Sequence, residues 1–466
     1  MKRFLQLFTL ILMLGMSFNF AQTGTWKYTG DIKFPASDSG LVQPYLCATD
    51  VNGRLYVASS RANNASAHNT IYYADSTDTV FTKMIDFTAI GDTVYVSAIR
   101  GLAAIGTDVF VSFNQNLQQV GNTVATIYRY KNGNVDNVEK WGFGMQGAGY
   151  GTHIHGMSIT RDTILYTGVV FGTSIRLYNF NSNISSPAYG SWVPMNGTAP
   201  IEPGGPHDAA GYDIIRDAAV IPNGDYTNPE TPFYTSRNSS GVNPSSGGIA
   251  VWTGGDQNNP VNYTAVRVQD AFGTLNLTTF FPYGITVDNS GKLWIAGTDT
   301  LKKWVKAFEV QAGLATEVVE LPSLNSTSVP DPNGAPLQGP SDVTLSPSML
   351  NAYVTDGVTK GVYKFTFEIP NANNEEIKEF NYSLEQNYPN PFNPSTVIAY
   401  TLPASGNVKL TVTNALGQQV GELVNGYMEA GKHTSLFNAN NLPSGIYFYT
   451  LTTDFGSFSK KMMLIK

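Results

Sequence analysis

The sequence predicts an all-β chain, a six-bladed β-propeller followed by a small C-terminal β-sandwich. Three observations carry this expectation. Charged residues are only 14% of the 466 residues while aromatics reach 12% and Gly counts 45, a composition of strands and turns rather than of long charged helices. One grammar, a short apolar strand, a polar or Gly-containing turn and a second aromatic-rich strand, recurs six times at spacings of 55 to 67 residues. Beyond residue 380 the chain alternates apolar and polar residues through a run of short segments.

The N-terminus reads first as an address. Lys2 and Arg3 precede an apolar run from Phe4 to Met16, and small or polar residues lead to Ala21. A charged start, a short apolar stretch and a small residue before the cut form a signal peptide, expected over 1–21. The run is shorter than the roughly 20 apolar residues of a membrane span, so no transmembrane segment is expected after cleavage. Net charge is −7 with no Lys/Arg cluster, which excludes the basic footprint of nucleic-acid binding. Cys47 is the sole cysteine, so no internal disulfide can form, and its apolar surroundings predict a small buried residue rather than a nucleophile.

The repeats follow from residue 22 to 369. The clearest copies are Pro282-Tyr283-Gly284-Ile285-Thr286-Val287-Asp288 through Ala296, and Pro44-Tyr45-Leu46-Cys47-Ala48-Thr49-Asp50 through Ala58. Weaker copies start at Arg100, His155, Arg216 and Ser341. Third strands are expected at Thr70–Tyr73, Thr126–Tyr130, Ile175–Tyr178, Val305–Phe308 and Gly361–Phe365, and fourth strands at segments such as Tyr263–Val268 and Glu317–Leu321. Four antiparallel strands repeated six times describe a propeller, because one such blade cannot bury both faces alone. The last repeat lacks a fourth strand, whereas Trp26–Ile32 is a strand without a hairpin partner. That segment is predicted to complete the last blade and leave no open edge. Residues 370–379, rich in Asn and Glu, read as a linker.

The first-strand pattern Gly284-Ile285-Thr286-Val287-Asp288 resembles NHL-type and related six-bladed propellers, a resemblance that extends over residues 25–368. Residues 380–466 resemble a more specific family. Asn390-Pro391-Phe392-Asn393-Pro394, the turn Leu416-Gly417-Gln418, the strand Pro443-Ser444-Gly445-Ile446-Tyr447 and the end Lys460-Lys461-Met462-Met463-Leu464-Ile465-Lys466 are similar to the type A C-terminal sorting domain of type IX secretion cargo. That resemblance implies recognition by the type IX machinery and passage through the periplasm of a Gram-negative bacterium. The destination it implies is the medium or the outer-membrane surface.

Chemistry-bearing residues are few. Of the histidines His68, His153, His155, His207 and His433, only His153 and His155 lie two apart and so share a face of an extended strand; with His207 or Asp208 they are the one weak metal candidate. No metal and no cofactor is expected. The repeat alignment places Tyr45, Arg100, His155, Arg216, Tyr283 and Ser341 at one level of the channel, beside Asp217 and Asp342. Two Arg, a His and two Tyr on one rim suit an anionic or sugar-like ligand, since guanidinium pairs with carboxylates and phosphates in a bidentate fork. The competing expectation is that Arg216 pairs with Asp217 or Asp342 and the ring plugs the channel. Arg, His and Tyr suit Ca²⁺ badly, which counts against the calcium-dependent hydrolases of related propellers. The Asp50–Gly53 and Asp288–Gly291 turns are explained as hairpin turns.

The sequence therefore predicts an exported ligand-binding or adhesion module that takes a glycan, a small anion or a protein. An extracellular hydrolase or lyase at the channel mouth is the alternative.

Overall fold

A computed structural model of the protein describes residues 24–38, 40–59, 69–87, 99–113, 124–143, 153–160, 164–170, 175–179, 215–222, 224–237, 248–256, 263–270, 281–298, 303–325, 330–368, 383–402, 406–428, 431–453 and 456–466. The expected signal peptide, the linker and His207 lie outside them.

The described elements are strands in chain order, with two short 3-10 turns. Strand β1 (Thr25–Asp31) stands alone at the start. Hairpin series follow: β2 (Pro44–Thr49), β3 (Leu55–Ser59), β4 (Thr70–Ala74) and β5 (Thr82–Asp86), then β6 (Ile99–Ile105), β7 (Asp108–Phe113), β8 (Val124–Tyr130) and β9 (Val138–Phe143). The third comprises β10 (His153–Ile159), β11 (Ile164–Val170) and β12 (Ile175–Asn179); the fourth β13 (Ile215–Val220), β14 (Phe233–Arg237), β15 (Ile249–Thr253) and β16 (Thr264–Arg267). The fifth comprises β17 (Gln269–Asp270), β18 (Phe281–Val287), β19 (Leu293–Thr298), β20 (Lys303–Gln311) and β21 (Leu314–Glu320), and the sixth β22 (Pro340–Leu345), β23 (Asn351–Asp356) and β24 (Gly361–Glu368).

Each series is one antiparallel sheet in chain order; in the fifth, β17 adds a parallel edge to β21. The first strands form a ring. Each of β2, β6, β10, β13, β18 and β22 packs against the next, and β22 packs back against β2. This is a six-bladed β-propeller.

Stacking between blades explains which strands are buried on both faces. All five residues of β3 and all six of β23 are buried, whereas the outer β21 is mostly exposed. Middle strands are covered by blades on both sides, so they lose the in–out alternation of a half-solvated sheet.

The ring closes as the unpaired N-terminal segment requires. Strand β1 pairs antiparallel with β24, Trp26 opposite Phe367 and Lys27 opposite Thr366, so the sixth sheet runs β1-β24-β23-β22. Trp26 meets Trp294 edge to face at 5.6 Å, tying the closing strand to the fifth blade as well.

The C-terminal segment has two sheets built from β25 (Ser383–Leu384), β26 (Ser395–Leu402), β27 (Gly406–Asn414), β28 (Gln419–Met428), β29 (Gly431–Asn438), β30 (Gly445–Thr453) and β31 (Gly456–Leu464). Their orders are β25-β26-β29 and β28-β27-β30-β31, and Ile398, Tyr400, Leu410, Val412, Tyr449 and Leu451 fill the space between. This is a β-sandwich core. The free edge of β31 is covered by the Asn-Pro-Phe segment. Met463 N donates to Asn390 Oδ1 at 2.9 Å, Phe392 N to Met463 O at 2.9 Å and Ile465 N to Phe392 O at 3.0 Å. The segment thus satisfies backbone groups that an edge strand otherwise exposes.

Candidate functional site

The inner strands pair with their own blade on one side only, so their other edge faces the channel. At one level each inner strand carries a β-bulge. The unpaired residues are Tyr45, Arg100, Gly156, Arg216, the pair Tyr283–Gly284, and Ser341. Five members of the predicted ring thus fall at the bulge. The sixth is corrected: His155 pairs with Gly168, and the bulge residue of β10 is Gly156. The repeat alignment runs one residue off in the third blade because a bulge adds a residue without changing the apolar pattern. The side chains of His153, His155 and Tyr283 lie outside the described set, and no group of three or more potential metal ligands occurs among the described residues.

Among the rim side chains, Arg100 and Arg216 are half-buried. Burial first, then the positive charge of Arg216, pull the Arg100 guanidinium below its usual range, while Tyr45 opposes them. The Arg216 charge is therefore close enough to act on Arg100. Ser341 does something else. It is 3% exposed, and its Oγ bonds Thr355 Oγ1 at 3.0 Å and the carbonyl of Pro44 in the first blade at 3.5 Å. It fastens the last blade to the first.

One residue further along the strands lie two buried carboxylates. Asp217 Oδ1 accepts from Ala218 N at 2.8 Å, and its Oδ2 from Ile285 N of the fifth blade at 2.9 Å. Asp342 repeats the arrangement, with Val343 N on Oδ1 and Cys47 N of the first blade on Oδ2, both at 2.8 Å. Each bridges two inner strands through main-chain donors that the channel edge would leave unmade. Burial pushes the Asp342 carboxyl up to about 7 against the donors that hold it down. Burial and the charge of Asp342 push Asp217 well above the usual carboxylate range. Two glycines make room: a Cβ on Gly156 would meet Asp217 Cα at 2.2 Å, and one on Gly284 would meet Asp342 Oδ1 at 2.0 Å. Further ties between inner strands continue the pattern, Val220 N donating to Ser158 Oγ and Thr49 Oγ1 to Leu345 O. Cys47 is buried against this layer, and burial pushes its thiol up, as a structural cysteine requires.

Beyond the carboxylates the channel opens, toward the far ends of the inner strands, into a cavity of about 380 Å³. Asp217 and Asp342 lie at its inner end, and Leu46, Ile159, Val287 and Leu345 belong to its walls; among the described rim side chains none lines it. Asp50 and Asp288 at the hairpins are turn residues. Asp50 Oδ1 accepts from Asn52 N and Arg54 N, and Asp288 Oδ1 from Ser290 N and Lys292 N.

Sequence reasoning named Asp217 and Asp342 only as neighbours and missed the glycines. A Gly inside a strand pattern is the readable signal, since it marks a bulge or a close backbone approach.

Residues 386–466 match the family model described as the secretion system C-terminal sorting domain. That stretch, the β-sandwich, is similar to the sorting domains that direct cargo to type IX secretion, which indicates a secreted or cell-surface protein. No curated protein matches the chain. Among solved structures, PorZ, an essential bacterial surface component of the type IX secretion system of Porphyromonas gingivalis, is 13% identical over 90% of this chain and 59% of its own, with a TM-score of 0.41. The chain thus spans less than two thirds of PorZ. Virginiamycin B lyase from Staphylococcus aureus is 11% identical over 73% of this chain and 99% of its own, TM-score 0.41. The α-L-arabinanase of Penicillium chrysogenum is 10% identical over 74% and 98%, TM-score 0.45. Likenesses this distant carry no argument about activity. Among the described residues no helix is long and apolar enough to cross a membrane.

Proposed function

We propose that the protein is a secreted or surface-displayed binding module that takes an anionic ligand at the channel rim formed by Tyr45, Arg100 and Arg216. In this reading residues 1–21 are removed on export, 22–369 are the propeller, 370–379 the linker, and 380–466 the part that meets the type IX machinery. The observation that carries it is the placement of two guanidiniums at one bulge level, the Arg216 charge acting on Arg100. A carboxylate, sulfate or phosphate at that level accepts bidentate hydrogen bonds from guanidinium forks. The ligand class is an acidic glycan, a small oxyanion or an acidic protein surface.

Thermal unfolding of the full chain with sulfate, phosphate or an oligogalacturonate tests the reading. A ligand at a hundred times its dissociation constant stabilises by about 2.7 kcal/mol, a readable shift. The shift is expected to vanish in Arg216→Ala and Arg100→Ala while both variants stay folded. A flat response of the wild-type protein to all three anions would refute the reading.

A further inference from the structure

The cavity on the far side of the carboxylate layer calls for a ligand of the opposite sign. Its volume of about 380 Å³ falls in the range of small-molecule pockets, about 300–1,000 Å³. Its walls include Leu46, Ile159 and Val287, each less than 8% exposed. Its inner end carries two carboxylates whose four oxygens each accept a main-chain N–H, with the Cys47 thiol also on Asp342, and the one cation among the described lining residues, Arg129, is paired with Asp108 at 2.6 Å. Burial disfavours the charged form of both acids, and a cation beside them favours it and offsets that cost. A carboxylate oxygen has a second lone pair, so each can still accept from a ligand.

We propose that this cavity binds a small protonated amine on an apolar body, with its ammonium group beside Asp217 and Asp342 and its body against Leu46, Ile159, Val287 and Leu345. A bare divalent cation fits less well. Ca²⁺ takes six to eight oxygen ligands, and two carboxylates already occupied by N–H donors supply too few. An ammonium needs three acceptors, and the apolar walls give its hydrocarbon chain a place that a hydrated metal does not use.

Isothermal titration of the full chain at pH 8 with n-hexylamine, n-hexanol, hexanoate and calcium chloride decides the matter. Saturable binding of hexylamine is expected, with hexanol and hexanoate at least tenfold weaker. Asp217→Asn should weaken hexylamine at least tenfold. Thr286→Trp, which narrows the cavity and leaves both carboxylates in place, should do the same and serves if the Asp217 variant does not fold. Absence of saturable hexylamine binding, or equal binding of hexanol, would overturn the proposal. Calcium binding lost in Asp217→Asn would overturn it in favour of a metal site.

Discussion

Replacing Gly284 by Ala tests the layered channel with a single methyl group. The added Cβ would lie 2.0 Å from Asp342 Oδ1 and 2.5 Å from Asp342 Cα, and the second atom is main chain that cannot swing aside. The φ of Gly284 is outside the left-handed region, so the penalty is steric contact rather than backbone strain. The fifth and sixth inner strands must part or the Asp342 carboxylate must leave Cys47 N and Val343 N. Overpacking costs typically 1–3 kcal/mol; for a propeller of about 340 residues the unfolding entropy is about 0.7 kcal/mol/K, so the thermal midpoint falls by about 1–4 °C. Gly357→Ala is the matched control in the same propeller. Its Cβ would meet nothing closer than 3.7 Å and its φ is also unremarkable, so its midpoint should stay within about 0.7 °C of wild type. Calorimetry of the full-length variants reads both. Equal midpoints for the two variants would refute the close packing of Gly284 on Asp342, and with it the account of the carboxylate layer.

Other expectations follow from the same contacts. Because Asp342 is raised to about 7 in the fold and titrates near 4 when unfolded, the native state binds the extra proton between those values. Its contribution therefore falls as pH rises from about 4 to 7, by up to about 1.4 kcal/mol per pH unit. Urea midpoints at pH 5 and 7.5 should show that fall in wild type and a flatter profile in Asp342→Asn; identical profiles would contradict the burial of this acid. Trp26→Ala removes edge contacts to Trp294 and Phe367 and should cost about 2 kcal/mol, since the ring is only partly buried, read as a lower urea midpoint. Asn390→Ala leaves Met463 N without its acceptor on the edge of β31 and should lower the stability of the C-terminal sandwich by about 1 kcal/mol, read as faster amide exchange at Met463.

How much was legible in the chain depended on what periodicity can report. Six blades, the pairing of Trp26–Ile32 with the last blade and the seven strands of the tail were readable because apolar alternation and turn residues recur at every copy. The third strand of the fourth blade, Ile249–Thr253, was missed because it follows a long Gly/Ser/Asn stretch that breaks the spacing. The repeat alignment put Tyr45, Arg100, Arg216, Tyr283 and Ser341 at what the register shows as one bulge level, but a bulge shifts register without shifting hydrophobicity, and so the alignment put His155 where Gly156 stands. The roles of Asp217 and Asp342 were hidden for another reason. Their partners are backbone N–H groups of Ile285 and Cys47 on the following blades, 68 and 295 residues away in sequence, and a main-chain donor leaves no trace in the side chains. The cavity escaped for the same cause: its walls are ordinary apolar strand residues.

Every site described lies inside a ring, so closure of that ring is the claim on which the rest depends. Cysteines at Lys27 and Thr366, which face each other in β1 and β24, test it directly. Paired antiparallel residues have Cα separations of about 4.5–5.5 Å, within the range a disulfide spans. Mild oxidation of Lys27→Cys/Thr366→Cys should give one intramolecular disulfide in a monomer, with Cys47 left reduced in the core, and a higher thermal midpoint because the bond closes a loop of hundreds of residues. Recovery of only reduced or intermolecularly linked chains would contradict a propeller closed by its own first strand.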